Sequence, residues 1–148
     1  MKPAIFLRIA SVLTIVHALL HTIGGVYSSP DPGPQSVAVT AMKANQFLLM
    51  GHMRSYFDFY RGMGLAGTIS LTAEGIIMWQ LGNLVKTAGV RLRPVLGTFL
   101  LAYTVMSVNS NAYFFWGPVV AEILIAACFL GAMVTAKAPV VIAQQAHA

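Results

Sequence analysis

The chain alternates between long apolar stretches and short polar breaks. The first stretch runs from Ile9 to Pro30 without a formal charge, and the second, at about residues 57–84, is interrupted by Glu74. A transmembrane helix needs about 20 predominantly apolar residues. These two stretches therefore predict membrane-spanning helices over residues 4–26 and 57–84.

A third stretch, from Pro94 to Ala121, also lacks any formal charge but is too long for a single span. It is interrupted by Asn109-Ser110-Asn111 and then by Trp116-Gly117-Pro118. We therefore divide it and predict a third span over residues 94–110 and a fourth over residues 118–136.

The segment between the first two spans predicts a loop that contains one short helix. Residues 28–34 are rich in proline and should not be helical. Apolar residues at spacings of three and four then predict a helix over residues 37–53, which is too short and too mixed to cross a membrane. The sequence thus predicts a single all-α domain over residues 1–148. It would be a transmembrane four-helix bundle with an extra interfacial helix in its first outer loop.

Composition supports residence in a membrane. Hydrophobic residues make up 57% of the chain and charged residues only 9%, whereas an ordinary soluble domain has about 25% charged residues. The net charge of +5 is explained by loop topology. No basic run with interleaved aromatic residues indicates nucleic-acid binding. The single cysteine, Cys128, excludes an internal disulfide.

Residues near the ends of the spans predict orientation and anchoring. With four crossings, six of the lysines and arginines fall on one side: Lys2, Arg8, Lys86, Arg91, Arg93 and Lys137. Cytoplasmic loops carry such an excess, so we expect both termini in the cytoplasm. Aromatic residues suited to the two membrane interfaces are Trp79, Tyr103, Tyr113 and Trp116.

Ionisable side chains inside the predicted spans are the first candidates for function. His17 and His21 lie one turn apart on a stripe of small and polar residues, which should face other helices rather than lipid. Glu74 lies deep in the second span and should be paired or protonated. At about 1.5 Å of rise per residue, both histidines and Glu122 fall in the outer half of the bilayer.

Residues 52–64 are the densest in polar and aromatic side chains. Asp58 can pair with Arg54 or Arg61 at helical spacing. This group is either an ion-paired cap or a clamp for an anion or headgroup. The predicted ligand site is formed by His17, His21, Arg54, Asp58, Arg61, Asn111 and Glu122.

Three interpretations of the histidine pair remain open. The rings could be satisfied by packing against neighbouring helices, or handle a proton or substrate together with Glu122 or Asp58. Alternatively, the spacing of four residues could place both imidazoles on a metal ion or haem, with His52, Glu122 or Asp58 as a third ligand. The catalytic candidates are therefore His17, His21, Glu122 and Asp58, and no complete metal site is predicted.

Several segments together resemble a family of small four-span bacterial membrane proteins of uncharacterised function, similar in overall shape to DoxX-like proteins. The resemblance implies the fold and a bacterial inner-membrane location, but no reaction. It rests on Phe6-Leu-Arg-Ile-Ala-Ser-Val-Leu13, His21-Thr-Ile-Gly-Gly25, Ala41-Met-Lys43, Gly51-His-Met-Arg-Ser-Tyr-Phe-Asp-Phe-Tyr-Arg-Gly-Met-Gly-Leu65 and Trp79-Gln-Leu81.

The sequence favours a binding protein in the lipid bilayer that holds a small apolar or amphiphilic ligand, such as a lipid or quinone, in a cavity open to the outer leaflet. Two alternatives remain. One is a membrane-embedded acid–base enzyme, an isomerase or hydratase acting on a lipid-like substrate. The other is a structural subunit that packs against a membrane-protein partner or a second copy of the chain.

Overall fold

The structure, a computed structural model, describes residues 2–137. Residues 138–148, which include the predicted cytoplasmic C-terminus, lie outside the described part. Helices dominate, as the predicted all-α class requires. The elements are α1 (Pro3–Leu20), which continues as a π-helical segment (His21–Val26), α2 (Pro34–Ala44), β1 (Gln46–Leu49), β2 (His52–Ser55), α3 (Tyr56–Ala88), a 3₁₀ turn (Gly89–Leu92), α4 (Arg93–Tyr113) and α5 (Trp116–Thr135).

The long helices begin and end close to the predicted spans, with one difference in α4. The break predicted at Asn109-Ser110-Asn111 is absent, because α4 continues to Tyr113 and the chain becomes extended only at Phe114 and Phe115. Asn and Ser are only mildly unfavourable in a helix, and the Ser110 side chain has a buried partner on α5. Polar residues here therefore mark an inward contact rather than a helix end.

The helix predicted over residues 37–53 is only partly confirmed. The helix, α2, begins earlier, at Pro34, and ends at Ala44. Strands β1 and β2 then form an antiparallel hairpin in which Leu49 pairs with His52. The two residues between them, Met50 and Gly51, have φ angles of 49° and 84°. Positive φ at both central positions is the geometry of a tight hairpin turn, which reverses the chain where a helix would continue.

The chain divides into two compact units. We call them the helical unit, made of residues up to Thr14 together with residues from Glu74 onward, and the hairpin unit, Ile15–Ala73. Helices α1 and α3 each contribute residues to both units. The prediction of a single domain over residues 1–148 therefore stays a prediction.

The core of the helical unit draws on all four long helices. Its fully buried apolar side chains include Leu7 from α1, Met78 from α3, Leu96 from α4 and Phe129 from α5. The Phe129 ring lies parallel to that of Phe99, with the ring centroids 5.0 Å apart. Such large interdigitating side chains fix the relative positions of the helical segments within this unit.

Two helices are long and apolar enough to cross a membrane by length and composition, Pro3–Val26 and Trp116–Thr135. Helix α3 is longer but more polar; its 33 residues extend about 50 Å. That length exceeds a hydrocarbon core of about 30 Å. Large apolar side chains are exposed on all four long helices, among them Leu20, Ile69, Leu101 and Val134.

Candidate functional site

A tyrosine lies at the centre of a buried polar cluster in the helical unit. The Tyr103 side chain on α4 is fully buried, and its hydroxyl donates a hydrogen bond of 2.6 Å to Oε2 of Glu74 on α3. The hydroxyl of Thr14 on α1 lies 3.5 Å from the Tyr103 hydroxyl. Glu74, predicted to be paired or protonated, thus has a hydrogen-bond donor on another helix. The interpretation of Tyr103 as an interfacial anchor is wrong, because its ring packs inside the core against Phe129.

A second carboxyl group lies deeper in the same core. Glu122 on α5 is only 2% exposed, and its Oε1 accepts a hydrogen bond of 2.9 Å from the Ser110 hydroxyl on α4. Its Oε2 is buried and has no hydrogen-bond partner among the described residues. Buried polar atoms are nearly always satisfied in native proteins, so this oxygen requires a partner, either a water molecule or a ligand.

Both carboxyl groups contact the same face of α4. Tyr103 and Ser110 are seven residues apart, which is close to two helical turns and about 10 Å along the axis. Leu96, seven residues before Tyr103, is buried on that face too. The inward face of α4 therefore changes from apolar to polar towards its C-terminal end. The arrangement can donate to, or accept from, a polar group that enters beside Glu122.

His21 belongs to the hairpin unit and lies in the π-helical segment. Its Nε2 is 3.0 Å from the carbonyl oxygen of Gly64 on α3, so this nitrogen is the donor. A side chain at Gly67 would place its Cβ only 3.2 Å from the same nitrogen. Thr22 and Thr68 form a second contact at 2.9 Å. Among the three interpretations, this geometry favours packing for His21, with glycines that make room for the ring.

His17 differs from His21 in its contacts. Its side chain is partly buried, and Nδ1 has no hydrogen-bond partner in the part of the chain that the structure describes. His17 belongs to the hairpin unit and Glu122 to the helical unit. A pocket shared by the histidines and Glu122 therefore stays a prediction.

Asp58 caps a helix instead of binding an arginine directly. The backbone N–H and the hydroxyl of Ser55 donate to Asp58 Oδ2 at 2.7 and 2.9 Å, and the backbone N–H of Asp58 donates back to the Ser55 hydroxyl at 3.2 Å. This reciprocal pair is a capping box at the start of α3. The bonds from Ser55, with a smaller contribution from the Arg54 charge, lower the pKa of the Asp58 carboxyl. In the sequence, the Ser-x-x-Asp pattern of Ser55 and Asp58 indicates this capping box.

The two predicted arginine partners of Asp58 have other contacts. Arg54 donates to the carbonyl oxygen of Met53 at 2.8 Å. The Arg61 guanidinium lies over the ring of Tyr27, 4.7 Å from its centroid. Among the described residues, Asp58 therefore caps α3 without the direct ion pair that the predicted cap includes, and the predicted anion clamp stays a prediction. His52 is exposed at the start of β2.

On α4, the residue that contacts Glu122 is Ser110, whereas the sequence pointed to its neighbour Asn111. Asn111 is exposed. Ser110 lies about two turns after Tyr103 and shares its inward face, which the sequence did not reveal because it predicts Tyr103 to be an interfacial residue. Asn111 was predicted as a ligand residue because its amide side chain is polar. The position of a residue on the helical face, however, determines which polar side chain points inward.

Within residues 2–137, no group of three or more histidine, cysteine, aspartate or glutamate side chains is arranged to hold a metal ion. Haem or metal ligation by His17 and His21 therefore gains no third ligand from the described residues.

Comparison with protein-family models, with curated proteins and with solved structures finds no match for this chain. The resemblance to four-span bacterial proteins thus stays a prediction.

Proposed function

We propose that this chain is an integral membrane protein in which α1, α3, α4 and α5 each cross the bilayer. Polar side chains such as Thr14 and Glu122 are buried, while large apolar side chains on all four helices are exposed. A water-soluble protein rarely exposes such extensive apolar surface, whereas lipid covers it without cost. In α3, the crossing portion begins after Arg61, since no charge follows until Glu74.

We further propose that the protein binds a small amphiphile with a carbonyl group, a lipid or a quinone, at Glu122. The observation that supports this function is the buried Glu122 Oε2 without a partner among the described residues. An ionised carboxylate is costly in the membrane interior. A neutral carboxyl group would accept from Ser110 through Oε1 and offer its O–H, on Oε2, to a ligand carbonyl.

The position of Glu122 suits an amphiphile. It lies six residues after Trp116, the first residue of α5, and therefore about 9 Å along the helix from that end. A ligand could place its polar carbonyl there while its apolar part remains in the hydrocarbon. We place this end at the outer leaflet of a bacterial inner membrane, as the lysine and arginine distribution predicts.

Purification in mild detergent followed by mass spectrometry of the bound small molecules tests this function. Glu122→Met preserves side-chain volume but removes both oxygens, and it should reduce the amount of bound ligand about tenfold. Glu122→Gln keeps a donor at the position of Oε2 and should retain more ligand. Ser110→Ala is the matched control, because it removes the partner of Oε1 and leaves Oε2 in place.

The tenfold loss corresponds to about 1.4 kcal/mol, the net value of one buried hydrogen bond. Thermal unfolding of each variant shows whether the loss reflects binding rather than misfolding. The proposed ligand site is refuted if the folded Glu122→Met protein carries as much ligand as the wild type, or if the wild type carries none.

A further inference from the structure

Two cations of the helical unit converge on one neutral oxygen. The Arg8 guanidinium on α1 donates to Oδ1 of Asn83 at 3.3 Å, and the Lys86 ammonium on α3 donates to the same oxygen at 3.4 Å. The two charges therefore lie within a Debye length of each other, which is about 8 Å at physiological ionic strength. A single amide oxygen compensates neither charge.

The Arg8 side chain is held in place by its surroundings. A Cβ added at Gly82 would lie 3.5 Å from Cγ of Arg8 and 3.4 Å from the Ala4 carbonyl oxygen, so α1 and α3 approach each other closely here. The guanidinium lies over the Trp79 ring, 5.0 Å from its centroid. Stacking and the Asn83 contact thus orient the guanidinium but occupy few of its five N–H donors.

Acidic side chains of the same unit do not neutralise this pair. Its only acidic side chains are Glu74 and Glu122. Glu122 accepts from Ser110, and Glu74, which accepts from Tyr103, precedes Asn83 by nine residues, about 13 Å along α3. The pair therefore has unused donors and excess positive charge, which suits an anion such as a phosphate.

An apolar groove lies directly beside Arg8. It has a volume of about 320 Å³ and is lined by Ile5, Arg8, Ile9, Val12 and Leu13. The groove is shallow and lined by α1 alone. From Arg8 to Leu13 it follows the helix for about 8 Å, which is about half of a single leaflet of a hydrocarbon core about 30 Å thick. A cation beside such an apolar surface matches a molecule with an anionic head and an acyl chain.

We propose that Arg8 and Lys86 bind the phosphate of an anionic phospholipid whose acyl chain lies in this groove. The site is separate from Glu122. The inference rests on the membrane crossing proposed above but not on a ligand at Glu122. Basic side chains near the cytoplasmic surface attract anionic lipids, at about a fivefold preference for each cation.

Trp79 provides a fluorescent reporter beside the proposed headgroup site. The chain has two tryptophans, so Trp116→Phe leaves Trp79 as the only one. This protein is reconstituted into phosphatidylcholine vesicles that contain a small mole fraction of either brominated phosphatidylglycerol or brominated phosphatidylcholine. The brominated chain quenches a nearby tryptophan, so quenching at equal mole fraction compares the local concentrations of the two lipids.

We expect phosphatidylglycerol to quench Trp79 with a preference of about 25-fold, about fivefold for each of the two cations, and this preference should weaken at high salt. Arg8→Gln and Lys86→Gln should each reduce the preference about fivefold, and Arg8→Lys should retain part of it. Lys43→Gln, which removes an exposed cation of the hairpin unit, should leave it unchanged. Equal quenching by both lipids, or an unchanged preference in folded Arg8→Gln, overturns the lipid site alone. Absence of quenching by either lipid overturns the membrane crossing as well.

Discussion

The helical unit and the hairpin unit satisfy their polar groups in different ways. In the helical unit, hydrogen bonds join side chains of different helices, as in Tyr103–Glu74 and Ser110–Glu122. In the hairpin unit, Thr22 and Thr68 also join two helices and the His21 ring donates to a backbone carbonyl group on α3, but the carboxyl group of Asp58 bonds with Ser55 only three residues away. The units thus differ in their carboxyl groups: Glu74 and Glu122 accept from another helix, whereas Asp58 completes a local cap.

The helical unit also buries more large apolar side chains than the hairpin unit does. The helical unit contains large fully buried side chains, whereas the buried apolar residues described in the hairpin unit are Ala18, Val26 and Leu71. A unit with few buried apolar contacts opens at a lower free-energy cost than a well-packed core. The comparison teaches that Glu74 and Glu122 lie in the unit with the larger buried core, whereas His17, His21 and Asp58 lie in the other.

The largest effect should follow removal of a core aromatic side chain. Phe129→Ala deletes the ring that stacks on Phe99 and contacts Tyr103. We expect a loss of about 3 kcal/mol, at the lower end for such substitutions because lipid lessens the transfer contribution. Reversible unfolding in mixed micelles measures it. Leu130→Ala, at an exposed position, should change stability little, and equal losses in both variants would contradict the described core.

A smaller effect should follow removal of the hydroxyl that binds Glu74. Tyr103→Phe keeps the ring but leaves a partly buried carboxyl oxygen without its donor, which costs about 2 kcal/mol. Tyr113→Phe is the control, since Tyr113 is exposed. The same unfolding assay separates the two variants; a Tyr103→Phe protein as stable as the wild type would show that the Tyr103–Glu74 bond contributes nothing.

In the hairpin unit, glycine substitutions test close packing. A Cβ at Gly64 would lie 2.8 Å from Cγ2 of Val26, whereas a Cβ at Gly62 meets nothing within 4 Å. Gly64→Ala should cost about 2 kcal/mol through overpacking, partly offset by about 1 kcal/mol of helix propensity. Gly62→Ala should gain the helix propensity without any cost of overpacking, and should therefore be slightly more stable than the wild type. If the two variants are equally stable, the close approach to Val26 is not present.

The smallest effect should come from the cap of α3. Ser55→Ala removes one member of the capping box and should cost about 1 kcal/mol. Because the pKa of Asp58 is lowered in the folded protein, its contribution is present above the ordinary carboxyl pKa. It is lost as the pH falls through the lower folded value. The free energy of unfolding should therefore depend less on pH, between neutral and acidic values, in Ser55→Ala than in the wild type. An unchanged pH dependence would show that the Ser55–Asp58 bonds do not stabilise the fold.

The sequence predicted the positions of the long helices because uninterrupted apolar runs determine them. It also predicted a buried Glu122 and a partner for Glu74, since an isolated carboxylate is costly in an apolar core. The hairpin was missed because Leu48 and Leu49 also fit a helical spacing with the apolar residues before them. The turn depends on backbone angles at Met50 and Gly51 that spacing does not encode.

Partners of polar residues were harder to predict than burial. Asp58 has basic residues at helical spacing on both sides, so an ion pair was expected, but the helix starts at Tyr56 and places Asp58 in the cap. Tyr103 could have suited either an interface or a core. Its position depends on packing against Phe129 of another helix, which no local pattern in α4 reveals.

Single-cysteine labelling in sealed membranes tests most directly whether the four long helices cross a bilayer. In a Cys128→Ala background, cysteines replace Met50 in the hairpin turn, Thr87 near the end of α3 and Tyr113 at the end of α4, and a membrane-impermeant maleimide is added from one side. Four crossings predict that positions 50 and 113 react from the same side and position 87 only from the other. Reaction of all three positions from one side would contradict the proposed topology.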